Sequence, residues 1–505
     1  MLARVSTFSL RGVDALRVTV EVDIRPGLPT FTIVGLGDTA VREARERVRA
    51  ALENSGFAFP QRRVVVNLAP AHLRKVGAGF DLAIACGVLA AMDHLPAIAV
   101  EHVAVVGELS LGGELRAGRG TLAIVEGAAR ERIERVVVPL DSAAEAALVP
   151  GVEVLAASTL ARVAEILTGD AAGETPPPRE DPARPAGDGI DLADVRGHGG
   201  PIRALAIAAA GGHNLLLSGP PGTGKTMLAR RLPSILPSLT LDEALAITRI
   251  HSVAGVHLGH GLVRERPFRA PHHTISPSGL VGGGASPVPG EASLAHNGVL
   301  FLDEVSEFSR GTLESLRQPL EDGRLVVVRG QRAALFPTRF ILVAATNPCP
   351  CGYAGTPRCR CTDADHARHR RKISGPLLDR IDLLVDVQRP SAEELAAGGG
   401  TPSHIVRDDV ERARGRQRSR LDGRAPSCNA EMTPALVREH VRLDSATAAL
   451  LHRAYDAGRL SARGRHRVLK VARTIADLAD SDDVALEHVR AALGWRLEEA
   501  LDGTV

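Results

Sequence analysis

Lysine is nearly absent. Of 61 lysine and arginine residues only 4 are lysines: Lys75, Lys225, Lys372 and Lys470. With 51 glycines and abundant alanine, this is a compositional habit, so arginine clusters by themselves do not signal nucleic acid. Scarcity makes each lysine informative, because a compact ammonium does not substitute for a planar guanidinium. Net charge is also close to absent, +2 over 505 residues, so bulk charge names no partner. Met1 to Arg11 lacks a charged start followed by an apolar run, and no secretory signal is expected. Long hydrophobic runs are missing too: the most apolar stretch, Leu82–Val100, is broken by Asp93, His94 and Pro96, which argues against a membrane span. A cytoplasmic protein is expected. In that reducing setting six cysteines argue against disulfides, and four of them fall between 349 and 361, which points to a local site. The remainder, 44% apolar and 24% charged, suits a globular chain of about two to four domains.

The stretch Gly219-Pro220-Pro221-Gly222-Thr223-Gly224-Lys225-Thr226 fits G-x-x-x-x-G-K-[ST], a loop that cradles phosphates. Gly222 and Gly224 let backbone N–H groups turn inward. Lys225 reaches the β- and γ-phosphates, and Thr226 offers a hydroxyl to Mg²⁺. The context agrees: His213–Ser218 reads as a buried strand and Met227–Leu232 as a helix whose N-terminus faces the anion. ATP and Mg²⁺ are the cofactors this predicts. About 75 residues on, Gly298-Val299-Leu300-Phe301-Leu302 ends in Asp303-Glu304, so a buried strand delivers two carboxylates to the tip of a sheet. Asp303 would hold Mg²⁺ through its water shell, and Glu304 would polarise the attacking water. A third strand, Phe340–Thr346, ends in Asn347.

Five segments follow from pattern. Residues 1–168 alternate strand-like and helix-like stretches and form an α/β domain; Val103–Leu109 reads as one strand and Phe80–Met92 as a buried helix. Residues 169–188 are rich in Pro, Gly and Ala and read as a flexible linker. Residues 189–388 carry the phosphate loop on a parallel sheet, with Arg324–Arg329 and Ala333–Pro337 as a hairpin that puts Arg329 and Arg332 near its tip. Residues 389–422, with Arg412, Arg414, Arg416, Arg418 and Arg420 at alternate positions, read as a solvated linker helix. Residues 423–505 read as a helical lid with Trp495 in its core. Cys349, Cys351, Cys359 and Cys361 form C-x-C-x₇-C-x-C, two thiolate pairs suited to tetrahedral Zn²⁺; unliganded thiols are the alternative. His272 and His273 are adjacent and point apart in most backbones, so loop hydrogen bonds are expected there rather than a metal pair. Cys86 reads as a core residue.

Several stretches resemble the Mg-chelatase-like AAA+ family of YifB and ComM. They are Pro29–Leu36, Glu43–Arg49 and Val66–Ala71 in the first domain, and Pro267–Thr274, Gly282–Gly284, Pro289–Glu291 and Leu294–Gly298 before the acid pair. The resemblance spans nearly the whole chain. It implies an N-terminal domain with the fold of the Lon protease domain, an AAA+ core and an α-helical lid. The N-terminal domain would be catalytically dead. Aligned with the Lon motifs, Gly79 stands at the nucleophile position and Leu122 where the lysine amine should be. In the core, the resemblance makes Asn347 a sensor orienting the lytic water. Arg380 in Leu377-Leu378-Asp379-Arg380 becomes a finger for a neighbouring subunit's γ-phosphate. An ion pair of Arg380 with Asp379 or Asp382 is the alternative. Arg463 matches the lid sensor, with Arg467 as runner-up. The hairpin would enter the pore of a ring, though a plain structural hairpin fits as well. The implied protein is a homo-hexameric DNA helicase, with single-stranded or branched DNA as partner. The rival is a chelatase-type remodeller of a metal-insertion or protein partner. The chain has no D-x-S-x-S adhesion motif, so that reading needs a separate partner chain.

Overall fold

Two α/β sheets organise the computed structural model, which describes residues 2–175, 190–256, 261–284, 287–329, 332–372, 375–396, 399–421 and 426–496. Most of the expected linker, from 176 to 188, lies outside the described residues. The first sheet has seven strands in the order Thr30–Val34, Arg63–Ala69, Asp14–Arg25, Leu2–Arg11, Val103–Val105, Arg135–Pro139, Glu153–Ala157. It is mixed: the long Leu2–Arg11 and Asp14–Arg25 pair is antiparallel, and the last three strands run parallel. Alternation sets its faces, since Val18, Val20, Val22 and Ile24 are buried at period two. The helix Asp81–Ala91 is buried at every position, as its apolar sequence requires. The single strand expected over Val103–Leu109 is two short ones, Val103–Val105 and Glu108–Leu109. Gly107 breaks the run: its carbonyl accepts from Leu82 N–H, and a Cβ there would crowd Leu82 and Pro139 at 3.3 Å.

The second sheet is all parallel, in the order Phe268–Arg269, Val299–Leu302, Ile341–Thr346, Leu215–Ser218, Leu383–Asp386. Its strands are near-continuous apolar runs because both faces are covered. Leu215, Leu217, Val299, Phe301, Val343 and Ala345 face one cluster, which the C-terminal helices complete with Val410, Ala413, Val468 and Ala472. Leu216, Leu300, Leu302, Leu342 and Ala344 face another, closed by Leu313, Leu316 and Leu377. Leu215–Ser218 lies where the strand order reverses, and a parallel sheet opens a ligand crevice at the carboxyl ends of its strands there.

The arginine-rich helix differs from its expectation. Ser403–Leu421 is no solvated linker: Val406, Val410, Ala413, Gln417 and Leu421 are buried against the core and lid. These positions recur at spacings of three and four, a stripe that the interleaved arginines mask in the sequence. Arg414 donates to Ala209 O, and Arg420 grips both oxygens of the buried Asp477 at 2.8 and 2.6 Å.

The first domain is seated on the second. Gly120 N–H donates to Ser252 O and Oγ at 3.2 and 3.0 Å, and Arg249 Nη2 donates to Glu126 Oε1 at 2.6 Å. Val13, Ile250, Leu294, Ala334 and Phe336 form a small apolar cluster between them. One face of the hairpin Arg324–Arg329/Arg332–Pro337 is therefore packed, while Val326, Val328 and Leu335 on the other stay exposed. The tip 330–331 and the side chains of Arg329 and Arg332 lie outside the described residues.

Candidate ATP-hydrolysis site

The loop Gly219–Gly224 leaves the strand Leu215–Ser218 and enters the helix Lys225–Ile235. Gly222 and Gly224 take φ of 76° and 88°, a left-handed conformation that disfavours any side chain. At Gly219 a Cβ would lie 2.2 Å from Val387 O, so only glycine lets the two segments touch. His198 closes the back of the loop; a Cβ on Gly224 would come within 3.5 Å of its Nε2. Pro220 and Pro221, between these glycines, complete the turn. Thr223 Oγ1 donates to Pro220 O at 3.0 Å.

Lys225 is buried, and its Nζ donates to Gly219 O at 2.6 Å, Pro220 O at 2.9 Å and Asn347 Oδ1 at 3.1 Å. Burial lowers its pKa, against the opposing pull of Asp303 and Glu304. Thr226 Oγ1 donates to Asp303 Oδ2 at 2.8 Å, joining loop to acid strand. Glu304 follows in a left-handed conformation, φ 49° and ψ 51°, and is exposed. A non-glycine residue held there is uncommon and marks a strained turn at the end of the acid strand. Parallel register carries the polar ends to one level: Ser218 pairs with Thr346, and Leu302 with Ala344. Lys225, Thr226, Asp303, Glu304 and Asn347 thus meet at one end of the sheet. The helix N-terminus, the inward amides and the buried amine fit a nucleotide's phosphates; the hydroxyl–carboxylate pair fits a Mg²⁺ shell.

Behind Asn347 sits the cysteine cluster. All four Sγ atoms of Cys349, Cys351, Cys359 and Cys361 lie within 4.8 Å of one another, and the pairs 349–351, 349–359 and 351–359 are 3.3, 3.9 and 3.7 Å apart. A tetrahedron of thiolates about 2.3 Å from Zn²⁺ has edges of about 3.8 Å, so the cluster has the right size. Backbone N–H groups of Arg360 and Tyr353 lower the Cys351 pKa to about 6, which favours the ligating thiolate. The cluster's loop packs on the phosphate loop, and the helix that follows the cluster reaches Asn347. A Cβ on Gly352 would stand 2.6 Å from Pro221 Cδ, and His369 Nε2 bonds Asn347 O at 2.9 Å. His369 escaped the sequence reading, since nothing in the polar run 363–372 sets one histidine apart. Cys86 is a core residue, as expected. His272 bonds Thr274 Oγ1 at 3.0 Å, the loop hydrogen bond expected, but the two histidines do not point apart: their rings lie tilted by 35° with centroids 4.0 Å apart.

The arginines stand elsewhere. Asn214 Nδ2 donates to Arg380 O at 3.0 Å, and Asn214 precedes the strand that the phosphate loop follows. Four residues of strand, about 13 Å, therefore separate Arg380 from the chain's own phosphate loop. The Arg380 side chain is 4% exposed and pairs through Nη2 with Glu321 Oε2 at 2.6 Å. Asp382 is taken up by Arg467 Nη1 at 2.5 Å and His213 Nδ1 at 3.5 Å; Arg467 foremost among them holds that buried carboxylate far below the ordinary range despite desolvation. Arg467 is thereby committed, whereas Arg463 is exposed at the start of the helix Ala462–Leu478. No described helix is long and apolar enough to cross a membrane.

Three family models match the chain: Subunit ChlI of Mg-chelatase over residues 20–142, Magnesium chelatase, subunit ChlI over 191–395, and Magnesium chelatase, subunit ChlI C-terminal over 400–496. Similar full-length proteins include an uncharacterized protein of Mycobacterium tuberculosis, 44% identical over 98% of both chains. The uncharacterized protein YifB of Escherichia coli is 42% identical over 99% of this chain and 98% of its own. The competence protein ComM of Haemophilus influenzae is 42% identical over 98% and 97%.

Proposed function

We propose, on the premise that this chain belongs to the Mg-chelatase-like YifB/ComM family of AAA+ proteins, that it is a Mg²⁺-dependent ATPase driving a ring along DNA. The observation that carries the ATPase is the Thr226–Asp303 hydrogen bond, 2.8 Å long, beside the Lys225–Asn347 contact. Mg²⁺, when bound, supplies charge neutralisation of the β- and γ-phosphates. Thr226 and Asp303 would hold it, Lys225 would exchange its carbonyl partners for phosphate oxygens, and Glu304 with Asn347 would orient the attacking water. A structural Zn²⁺ on Cys349, Cys351, Cys359 and Cys361 would fix the segment after Asn347. Arg380 lies at the opposite end of the strand Leu215–Ser218 from its own phosphate loop, which supports a neighbour's nucleotide as its target and a homo-hexameric ring as the working form; Arg463 would reach the same nucleotide from the lid.

The DNA reading rests on the competence relative and on the hairpin's place between acid pair and sensor. Arg329 and Arg332 would grip phosphates in the pore, so binding should tolerate sequence and weaken steeply with salt. The N-terminal domain, read as a dead Lon-like module, would serve assembly. The test is ATP-dependent unwinding of a forked or three-stranded DNA by the wild type and by Arg329→Ala/Arg332→Ala. The variant should keep basal ATPase and lose unwinding. A wild type that neither unwinds DNA nor speeds its ATPase with DNA overturns this reading and favours the remodeller, whose chelatase-subunit models also match.

A further inference from the structure

Glu321 occupies a place that none of the motifs accounts for. It is the penultimate residue of the helix Arg317–Asp322; Gly323 follows in a left-handed turn, and the hairpin strand begins at Arg324. Its carboxylate covers Arg380 at 2.6 Å and is itself about half exposed. It therefore forms the boundary between a buried guanidinium and the surface. The bond from Arg380 foremost, then the charges of Arg380, Arg463 and Arg317, hold its pKa below the usual carboxylate range. This carboxylate thus holds the arginine that the proposed ring would send to a neighbour's γ-phosphate, and it sits at the root of the proposed DNA hairpin.

We propose that Glu321 is a positioning residue that latches Arg380 until a neighbour's nucleotide displaces it, and that its release is transmitted to the hairpin. The inference rests on the trans-acting ring described above. The physical basis is competition for one guanidinium. A γ-phosphate carries more charge than a carboxylate and can take guanidinium N–H groups bidentately, so it exchanges for the Glu321 Oε2 contact when brought to Arg380. The freed carboxylate is joined to Arg324 through Asp322 and Gly323, so exchange alters the hairpin's anchorage. Coupling of this kind is reciprocal: DNA that displaces the hairpin favours release of Arg380, which is a route to DNA-stimulated hydrolysis.

The test uses the full-length protein and steady-state ATPase with and without single-stranded DNA, for wild type, Glu321→Gln, Glu321→Asp, Arg380→Ala and Glu321→Gln/Arg380→Ala. Glutamine keeps the shape at a half-exposed position and removes the competing charge. It should raise basal kcat by about two- to five-fold, the scale of one ion pair half open to water, with KM unchanged. The stimulation by DNA should shrink by a similar factor. Aspartate, which keeps the charge, should stay near wild type, and the gain should vanish in the Arg380→Ala background. An unchanged or lower basal kcat in Glu321→Gln, or the same rise without Arg380, overturns the latch. If the wild type hydrolyses ATP but ignores DNA, the translocase reading fails while basal kcat still decides the latch.

Discussion

Two buried lysines, one in the N-terminal domain and one in the core, have different surroundings. Lys75 in the N-terminal domain is fully buried, its Nζ meets Pro70 O, and burial alone lowers its pKa. Lys225 in the core also meets backbone carbonyls, but Asn347 Oδ1 lies 3.1 Å away and Asp303 and Glu304 act on its charge. The first amine is walled in beside a carbonyl. The second lies in the glycine loop with a side-chain acceptor and two carboxylates near it. The two cations differ in those neighbours, not in burial.

The comparison breaks most sharply at the core. Glu304→Gln should bind ATP and hydrolyse it at least about 100-fold more slowly, the scale of lost general-base help, as read by nucleotide binding and phosphate release. Turnover near wild type would remove Glu304 from the chemistry. The metal cluster comes next. Protein purified without added metal should hold about one zinc per chain by elemental analysis, and stripping it should lower both melting temperature and kcat, because Gly352 in the cluster's loop packs on Pro221 of the phosphate loop. Metal-free protein with four freely titrating thiols would remove the zinc.

Acid supplies a smaller effect. Burial, with help from the Arg339 charge, pushes His296 from the ordinary 6.5 down to about 4, and its Nδ1 accepts from Arg339 N–H as the neutral ring must. Below pH 6.5 the unfolded chain takes up a proton that the folded chain refuses. Stability therefore falls as pH drops from 6.5 toward 4, by up to about 3 kcal/mol, and then levels. Denaturant melts across that window should show the slope, and His296→Asn should flatten it. The smallest effect is expected at the other lysine. Lys75→Met should leave ATPase within about two-fold and leave stability equal or higher, since an apolar chain of similar volume removes a desolvated charge. A loss of ATPase there would join the N-terminal domain to the chemistry.

Legibility in the sequence followed the range of the interactions. The phosphate loop, the acid pair and the Asn347 strand were readable because each is a local pattern: glycines where φ is positive, apolar runs ending in polar groups. The arginine-rich helix hides its buried stripe among charges, and only the surfaces of neighbouring helices reveal which side faces in. Val103–Leu109 was read as one strand because the contact that interrupts it, between Gly107 and Leu82, spans 25 positions.

By itself the sequence determined the fold class, the order of the core elements and the candidate groups for phosphate. Those depend on backbone conformation and periodicity, which neighbouring residues dictate. Tertiary structure alone decided which groups meet. It set Asp303 against Thr226, committed Arg467 to Asp382, placed Glu321 over Arg380 and seated the cysteine cluster on Pro221. Each of these pairings joins residues from separate elements, and charge or hydrogen bonding between them has no signature until the chain brings them within about 3 Å.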